Sequence, residues 1–185
     1  MTRPASLLVL LFLALAPVWA EDLAGQADPT APKNWKRYLL GTGPSLSVAM
    51  PSKPEKETTK EQFGTIDVYT STEAGGGVFL AEVMNLTIDA SKASPKERQE
   101  FFDAAFGAFK SSFEQSANMK LTVGKRTPMS ISSVQGFQET YSGSGLNGTL
   151  QVVLGGKRGY MLATFVPAGD KSGHDAAFLK SAAIK

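Results

Sequence analysis

The sequence predicts an α+β domain in which an antiparallel sheet of about six strands is flanked by helices. The first observation is the order of the segments, which runs strands, one helix, strands and one helix. The second is the composition, because 42% apolar and 19% charged residues in a chain of 185 are typical of a globular protein. The third is the absence of a fixed-period repeat or an internal linker, which predicts a single domain over residues 34–185.

The N-terminal residues predict export. Arg3 supplies a positive start, residues 7–16 form an apolar run, and small residues up to Ala20 suit cleavage near that position, so residues 1–20 predict a signal peptide. The apolar run is about half of the roughly 20 residues that cross a bilayer. Residues 21–33 are polar with two prolines and predict a disordered leader. We expect an exported protein, periplasmic or extracellular, with no transmembrane segment.

The chain contains no cysteine. This excludes disulfides, thiolate catalysis and cysteine-ligated metals, and it argues against the lipid anchor of a bacterial lipoprotein. Loss of the signal peptide would leave 18 basic and 17 acidic residues, a formal charge of +1. Such a balance offers no electrostatic basis for binding nucleic acid.

The first half of the domain predicts strands joined by polar loops. Residues 35–40 predict a short helix or an irregular lead-in, while Leu46–Met50 alternates and stops before a proline, as a strand does. Residues 53–61 carry charges of both signs and predict a solvated loop. Residues 63–72 and 78–88 are rich in β-branched and aromatic side chains around a glycine-rich connection, which predicts a long hairpin.

Residues 94–97, Ser-Pro-Lys-Glu, predict the start of a helix, with serine as N-cap, proline at the first position and glutamate closing a capping box. We expect this helix to end near Asn118. One face of it carries four aromatic rings, at Phe102, Phe106, Phe109 and Phe113. Packing against the sheet explains this stripe, and the alternative is a wall that contacts an apolar ligand or a cofactor.

The second half predicts four more strands, at residues 119–123, 131–141, 149–154 and 160–166. Gly136 is expected to form a bulge in the second of them. Residues 176–183 predict a closing helix whose apolar side chains pack on the sheet.

Two patterns suggest chemistry and are better explained otherwise. Residues 143–148 match G-x-G-x-x-G, but a strand follows them instead of a helix, so no helix N-terminus is available to hold a phosphate and a tight turn is expected. His174 is the only histidine, which excludes a multi-histidine metal site and favours an exposed or capping residue. No catalytic, cofactor-binding or metal-binding residue is predicted.

Asp67 and Glu82 interrupt apolar strands of one predicted hairpin and would form an acid pair if they converged. The favoured interpretation is that each points to solvent from a sheet buried on one face. Asn85 and Asn147 begin glycosylation sequons, which matter only in a eukaryotic secretory route.

The order of the segments resembles the PsbP/DcrB-like family of exported proteins. The resemblance spans residues 35–185 and runs through an aromatic lead-in, LSVAMP, SPKE, VQGFQETY, GGKRGYMLATFVP and FLKSAAI. It implies an α/β/α sandwich and a protein that binds or assists other proteins rather than catalysing a reaction. No catalytic residue is carried over from it.

The expected function is therefore non-catalytic binding or assembly support through contact with an envelope protein, with Trp35, Lys157 and Arg158 as the candidate contact surface. The alternative is a carrier of a small apolar ligand, held between the sheet and the phenylalanine stripe of Phe102, Phe106, Phe109 and Phe113. A third hypothesis is an enzyme that uses Asp67 and Glu82.

Overall fold

The computed structural model describes residues 25–27 and 29–185. The signal peptide predicted at residues 1–20 lies outside them. The described strands, in chain order, are β1 (Gln26–Ala27), β2 (Lys36–Leu40), β3 (Leu46–Met50), β4 (Glu55–Glu61), β5 (Gly64–Thr72), β6 (Val78–Leu86), β7 (Thr122–Val123), β8 (Thr127–Ile131), β9 (Val134–Gly143), β10 (Leu146–Gly155), β11 (Arg158–Pro167) and β12 (Ala183–Ile184). The helices are α1 (Pro95–Ser116) and α2 (His174–Ser181), with a 3-10 turn at Ala90–Lys92.

The strands form two antiparallel sheets. The large sheet has eight strands in the order β4-β5-β6-β11-β10-β9-β7, with β8 also paired to β9. The small sheet has four strands in the order β1-β2-β3-β12, and its β1 lies within the range predicted as a disordered leader. In the central part of the large sheet, β6 and β11 are neighbours that do not follow each other in the chain. They join two halves that are built from hairpins, and in the sequence α1 lies between these halves.

Two hydrophobic cores lie on the two faces of the large sheet. On one face, α1 packs on alternate residues of β6 such as Leu80 and Met84. On the other face, the small sheet and Phe178 of α2 pack on the intervening residues of β6, such as Phe79 and Val83. The central strands are therefore covered on both faces, and the side chains that point to either face are buried.

The predicted fold class is wrong. The described residues form twelve strands in two antiparallel sheets with two helices, and 21% of them are helical, in place of six strands flanked by helices. The second face of the large sheet is covered mostly by another sheet, with α2 beside it. Neither helix in the described ranges has the length and hydropathy that a bilayer-spanning helix requires.

Several local predictions are confirmed. The hairpin of β5 and β6 is continuous over nine residue pairs, from Gly64 with Leu86 to Thr72 with Val78. At the start of α1, the hydroxyl of Ser94 accepts from the backbone N–H of Glu97 at 3.3 Å, and the Glu97 carboxylate accepts from the N–H of Ser94 at 2.7 Å. This reciprocal pair is the predicted capping box.

Other elements differ from the predictions. Residues 36–40 form strand β2, and residues 55–61, expected as a loop, form the edge strand β4. An edge strand needs a partner on one side only, so exposed charged side chains do not prevent its pairing with β5. The strand predicted over 131–141 contains a tight turn, in which Ser132 and Ser133 have φ values of 53° and 98° and β8 folds back on β9.

The glycines of the second half have structural roles. Residues 144 and 145, both with positive φ, form the two-residue turn between β9 and β10, as expected for the G-x-G-x-x-G segment. Gly136 is not at a bulge, because it pairs in regular register with Val153 on one side and Met129 on the other. A Cβ there would overlap the carbonyl oxygen of Val152, so close approach of the backbones requires glycine.

Candidate functional site

Helix α1 covers one part of its sheet face more closely than the rest. It lies nearest to β9 and β10. An ion-pair bridge holds it on that side, where Arg126 contacts Asp103 of α1 and donates from Nε to the Glu139 carboxylate of β9 at 2.6 Å. The Tyr141 hydroxyl donates to the same carboxylate at 2.7 Å, and burial with this hydrogen bond raises the pKa of Tyr141. The helix is thus anchored toward one end of the sheet.

A cavity lies on the other side, between α1 and strands β5, β6 and β11. Its lining residues are Phe63, Ile66, Val78, Leu80, Glu82, Met84, Phe101, Ala105, Phe109, Ser112, Phe113, Met161, Ala163 and Phe165. The space not filled by atoms is about 760 Å³, open space at the mouth included, and the centre of a water molecule can occupy about 60 Å³ of it. A cavity holds one water when a sphere of about 10–15 Å³ fits inside it, so this cavity has room for a few waters or a small molecule.

The cavity wall is apolar and aromatic with one ionisable side chain. Five of the lining residues are phenylalanines, and Glu82 is the one lining residue that can carry a charge. Part of the lining is half-buried or exposed, since Val78 is 37% exposed and Phe63 and Phe101 are half-buried. Ligand sites in proteins combine such apolar walls with a few polar groups that set the ligand's orientation.

Glu82 is buried without a partner. Its side chain is 2% exposed, and its Oε1 has no hydrogen-bond partner among the described residues. Burial raises the pKa of Glu82 to about 7, because the apolar surroundings disfavour the charged carboxylate. An unpaired buried carboxyl is costly to a fold and needs an explanation, which a bound molecule would supply.

The strand register places Glu82 in this wall. Glu82 lies opposite Val68 of β5 and Met161 of β11, both in the core beneath α1. Asp67 lies opposite Val83, whose side chain belongs to the core on the other face. Asp67 accepts from the Thr58 hydroxyl at 2.7 Å there. Opposite residues in an antiparallel pair share a face, so the two acids point to opposite sides of the sheet and form no pair.

Half of the predicted phenylalanine wall lines the cavity. Phe109 and Phe113 do, with Phe113 stacked on Phe165 at a centroid distance of 3.9 Å. Phe102 and Phe106 instead pack within the core toward β9, where Phe102 meets Phe137 edge to face at 5.0 Å. The side of α1 that lines the cavity lies next to the stripe and also carries Phe101, which is not part of the stripe.

Two of the three candidate contact residues contact other parts of the same fold. Trp35 is 5% exposed and packs edge to face on Phe79 at 5.0 Å, so its ring is not available as a surface. Arg158 donates to the carbonyl oxygens of Thr42 and Gly43 at 2.6 and 2.9 Å and fixes that loop. Lys157 is exposed at its hairpin tip.

His174 has a structural partner. Its Nδ1 lies 2.8 Å from a carboxylate oxygen of Glu73, and its ring packs on Trp35 at a centroid distance of 5.3 Å. These contacts connect the start of α2 to the loop before β6. Over residues 25–27 and 29–185, no three histidine, aspartate or glutamate side chains cluster in a way that would hold a metal ion.

The burial of Glu82 was missed from the sequence, although a signal for it is present. Residues 78–86 of β6 form a nearly unbroken apolar run around Glu82. Such runs are typical of strands covered on both faces, where either orientation of an acid leads into a core.

Comparison with known proteins leaves the family undetermined. No family model and no curated protein matches the chain. A crystal structure of a protein from Bacteroides thetaiotaomicron VPI-5482 is similar at 15% identity with a TM-score of 0.39. The match covers 76% of this chain and 45% of that one. The resemblance to the PsbP/DcrB-like family stays a prediction.

Proposed function

We propose that this protein binds a small apolar ligand in the cavity beneath α1 and has no catalytic role. The observation that carries the proposal is the cavity itself, with apolar walls around a buried carboxyl that has no partner. Apolar walls supply affinity through burial, and a single polar group selects among ligands. Export, predicted from residues 1–20, would make the protein a carrier or a receptor for such a ligand in the periplasm or outside the cell.

This proposal takes the alternative of the sequence analysis in preference to assembly support. Of the three candidate contact residues, Trp35 is buried and Arg158 is engaged with a loop, which leaves Lys157 alone as an exposed group. A lone lysine at a turn does not define a protein interface. Assembly support and the absence of catalysis stay predictions.

The test combines native mass spectrometry with a matched pair of variants. Protein purified without detergent is expected to carry a small added mass, or to gain one when incubated with six-carbon compounds such as hexan-1-ol and hexylamine. Ala105→Leu fills the cavity from α1 and should abolish this mass. Ala104→Leu makes the same change one residue away, at a position that does not line the cavity, and should keep it.

Two outcomes would contradict the proposal. One is that neither the purified protein nor the incubated protein carries any mass beyond the polypeptide. The other is that Ala105→Leu, shown to be folded by circular dichroism, binds as well as the wild type, because the ligand would then lie elsewhere.

A further inference from the structure

We infer that the ligand of the cavity is an organic cation, an apolar body that carries one protonated amine, whose ammonium group donates to the Glu82 carboxylate. This inference rests on the proposed function, since it names the chemical class that the same cavity selects. It is carried by the location of Glu82 in the cavity wall, by the missing partner of its Oε1, and by the aromatic character of the remaining wall.

The first step concerns the partner that Glu82 lacks. An ionised carboxyl accepts hydrogen bonds only, so it needs a donor within the cavity. The strands and the helix around it contribute apolar side chains and Ser112, and no lysine, arginine or histidine lines the cavity from β5, β6, β11 or α1. The cavity therefore has no cationic side chain of its own, and a cationic donor for Glu82 would come with the ligand.

The second step compares ligand charges. An anionic ligand would bring a second negative charge beside a buried carboxyl, which disfavours binding. A neutral alcohol would satisfy one acceptor without compensating the charge. An ammonium ion does both, and hydrogen bonds between charged partners are the stronger ones.

The third step concerns the rest of the wall. Phe63, Phe101, Phe109, Phe113 and Phe165 line the same cavity as Glu82. The faces of aromatic rings attract cations, and cages that combine aromatic rings with an acid suit alkyl ammonium groups. The same rings bury the hydrocarbon part of the ligand.

A pH dependence follows from the burial of Glu82. The pKa of Glu82 is raised to about 7, and no other titratable side chain lines the cavity from any surrounding element. An alkyl amine, like lysine with its ordinary pKa of about 10.4, stays protonated in this range. Affinity for the amine should therefore fall about tenfold from pH 8 to pH 6, as Glu82 takes up a proton.

The experiment is isothermal titration of the folded protein with three six-carbon probes, hexylamine, hexan-1-ol and hexanoate, at pH 8 and pH 6. At pH 8 the wild type should bind hexylamine about tenfold to a hundredfold more tightly than hexan-1-ol, and hexanoate most weakly. Glu82→Gln should remove the preference for the amine while keeping the affinity for hexan-1-ol. Asp67→Asn, an acid-to-amide change on the opposite face of the same hairpin, should leave both unchanged.

The outcomes separate this inference from the function on which it rests. Equal affinities of the wild type for hexylamine and hexan-1-ol would overturn the amine inference and leave an apolar carrier. An amine preference that survives Glu82→Gln would overturn the role of Glu82. Binding of none of the three probes at pH 8 would contradict both proposals.

Discussion

Replacement of Glu82 by glutamine should change how the stability of the protein depends on pH. The folded-state pKa of Glu82 is raised from 4.5 to about 7, so between these values the folded protein holds a proton that the unfolded chain has lost. Unfolding then releases a proton, and stability falls as the pH rises. Below about 4.5 the contribution is fully present, and above about 7 it has been lost.

The magnitude follows from the two pKa values. At about 1.36 kcal/mol per pH unit, the difference between 4.5 and about 7 corresponds to about 3 kcal/mol. Glu82→Gln carries no proton to lose. Relative to the wild type, the variant should therefore gain about 3 kcal/mol of unfolding free energy between pH 4.5 and pH 8.

The assay is urea unfolding at a series of pH values, followed by circular dichroism and by the fluorescence of Trp35, which lies in the opposite core. Other titrating groups cancel in the difference between variant and wild type. Glu97→Gln serves as a control of opposite sign, because hydrogen bonds from Ser94 lower the pKa of Glu97 and its contribution is lost as the pH falls. A Glu82→Gln difference that does not change with pH would refute the account of a buried, unpaired carboxyl.

Three further predictions concern stability and are measured by urea unfolding at neutral pH. Gly136→Ala should destabilise the protein by about 1–3 kcal/mol, because the added methyl overlaps the carbonyl oxygen of Val152, and a loss below experimental error would contradict this close approach. Gly107→Ala, at an exposed position of α1 where a methyl meets nothing, should instead stabilise by up to about 1 kcal/mol; a destabilised variant would show that the helix needs glycine there. Arg126→Met should lower the free energy of unfolding by about 2–3 kcal/mol, less than the loss of a fully buried ion pair because the Arg126 side chain is 24% exposed, and an unchanged midpoint would mean that its bond to Glu139 contributes nothing.

Regular elements with strong local patterns were predictable from the sequence. The capping box at Ser94 fixed the start of α1 to the residue, and the alternation of β-branched and aromatic side chains located β5 and β6. In these segments local propensity and tertiary packing favour the same structure.

Elements held mainly by their neighbours were not predictable. β4 has no apolar residue and becomes a strand because β5 offers it a free edge, and the two-residue β12 pairs with β3. The turn at Ser132 and Ser133 requires positive φ values. Glycine or asparagine would have indicated such values in the sequence, but serine does not. Of the small sheet, only β3 was predicted, from the alternation of Leu46–Met50, whereas β1, β2 and β12, of two to five residues, were missed because they leave little periodicity.

The candidate site was predictable in part. The phenylalanine stripe correctly indicated an apolar layer between α1 and the sheet, and it named Phe109 and Phe113, which line the cavity. It could not indicate that α1 is anchored off-centre by Arg126, which opens the cavity toward β5 and β6. Glu82 was identified as an unusual acid, but a solvent-facing side was assumed for a sheet that has none at its centre.

The central claim, that a small apolar amine binds beneath α1, is tested most directly by NMR of methionine methyl groups during titration with hexylamine at pH 8. Met84 and Met161 line the cavity, whereas Met50 lies in the core on the opposite face of the sheet. We predict saturable shifts of the Met84 and Met161 methyl signals, an unmoved Met50 signal, and loss of these shifts in Glu82→Gln. Unmoved signals of Met84 and Met161 at millimolar hexylamine would contradict the account.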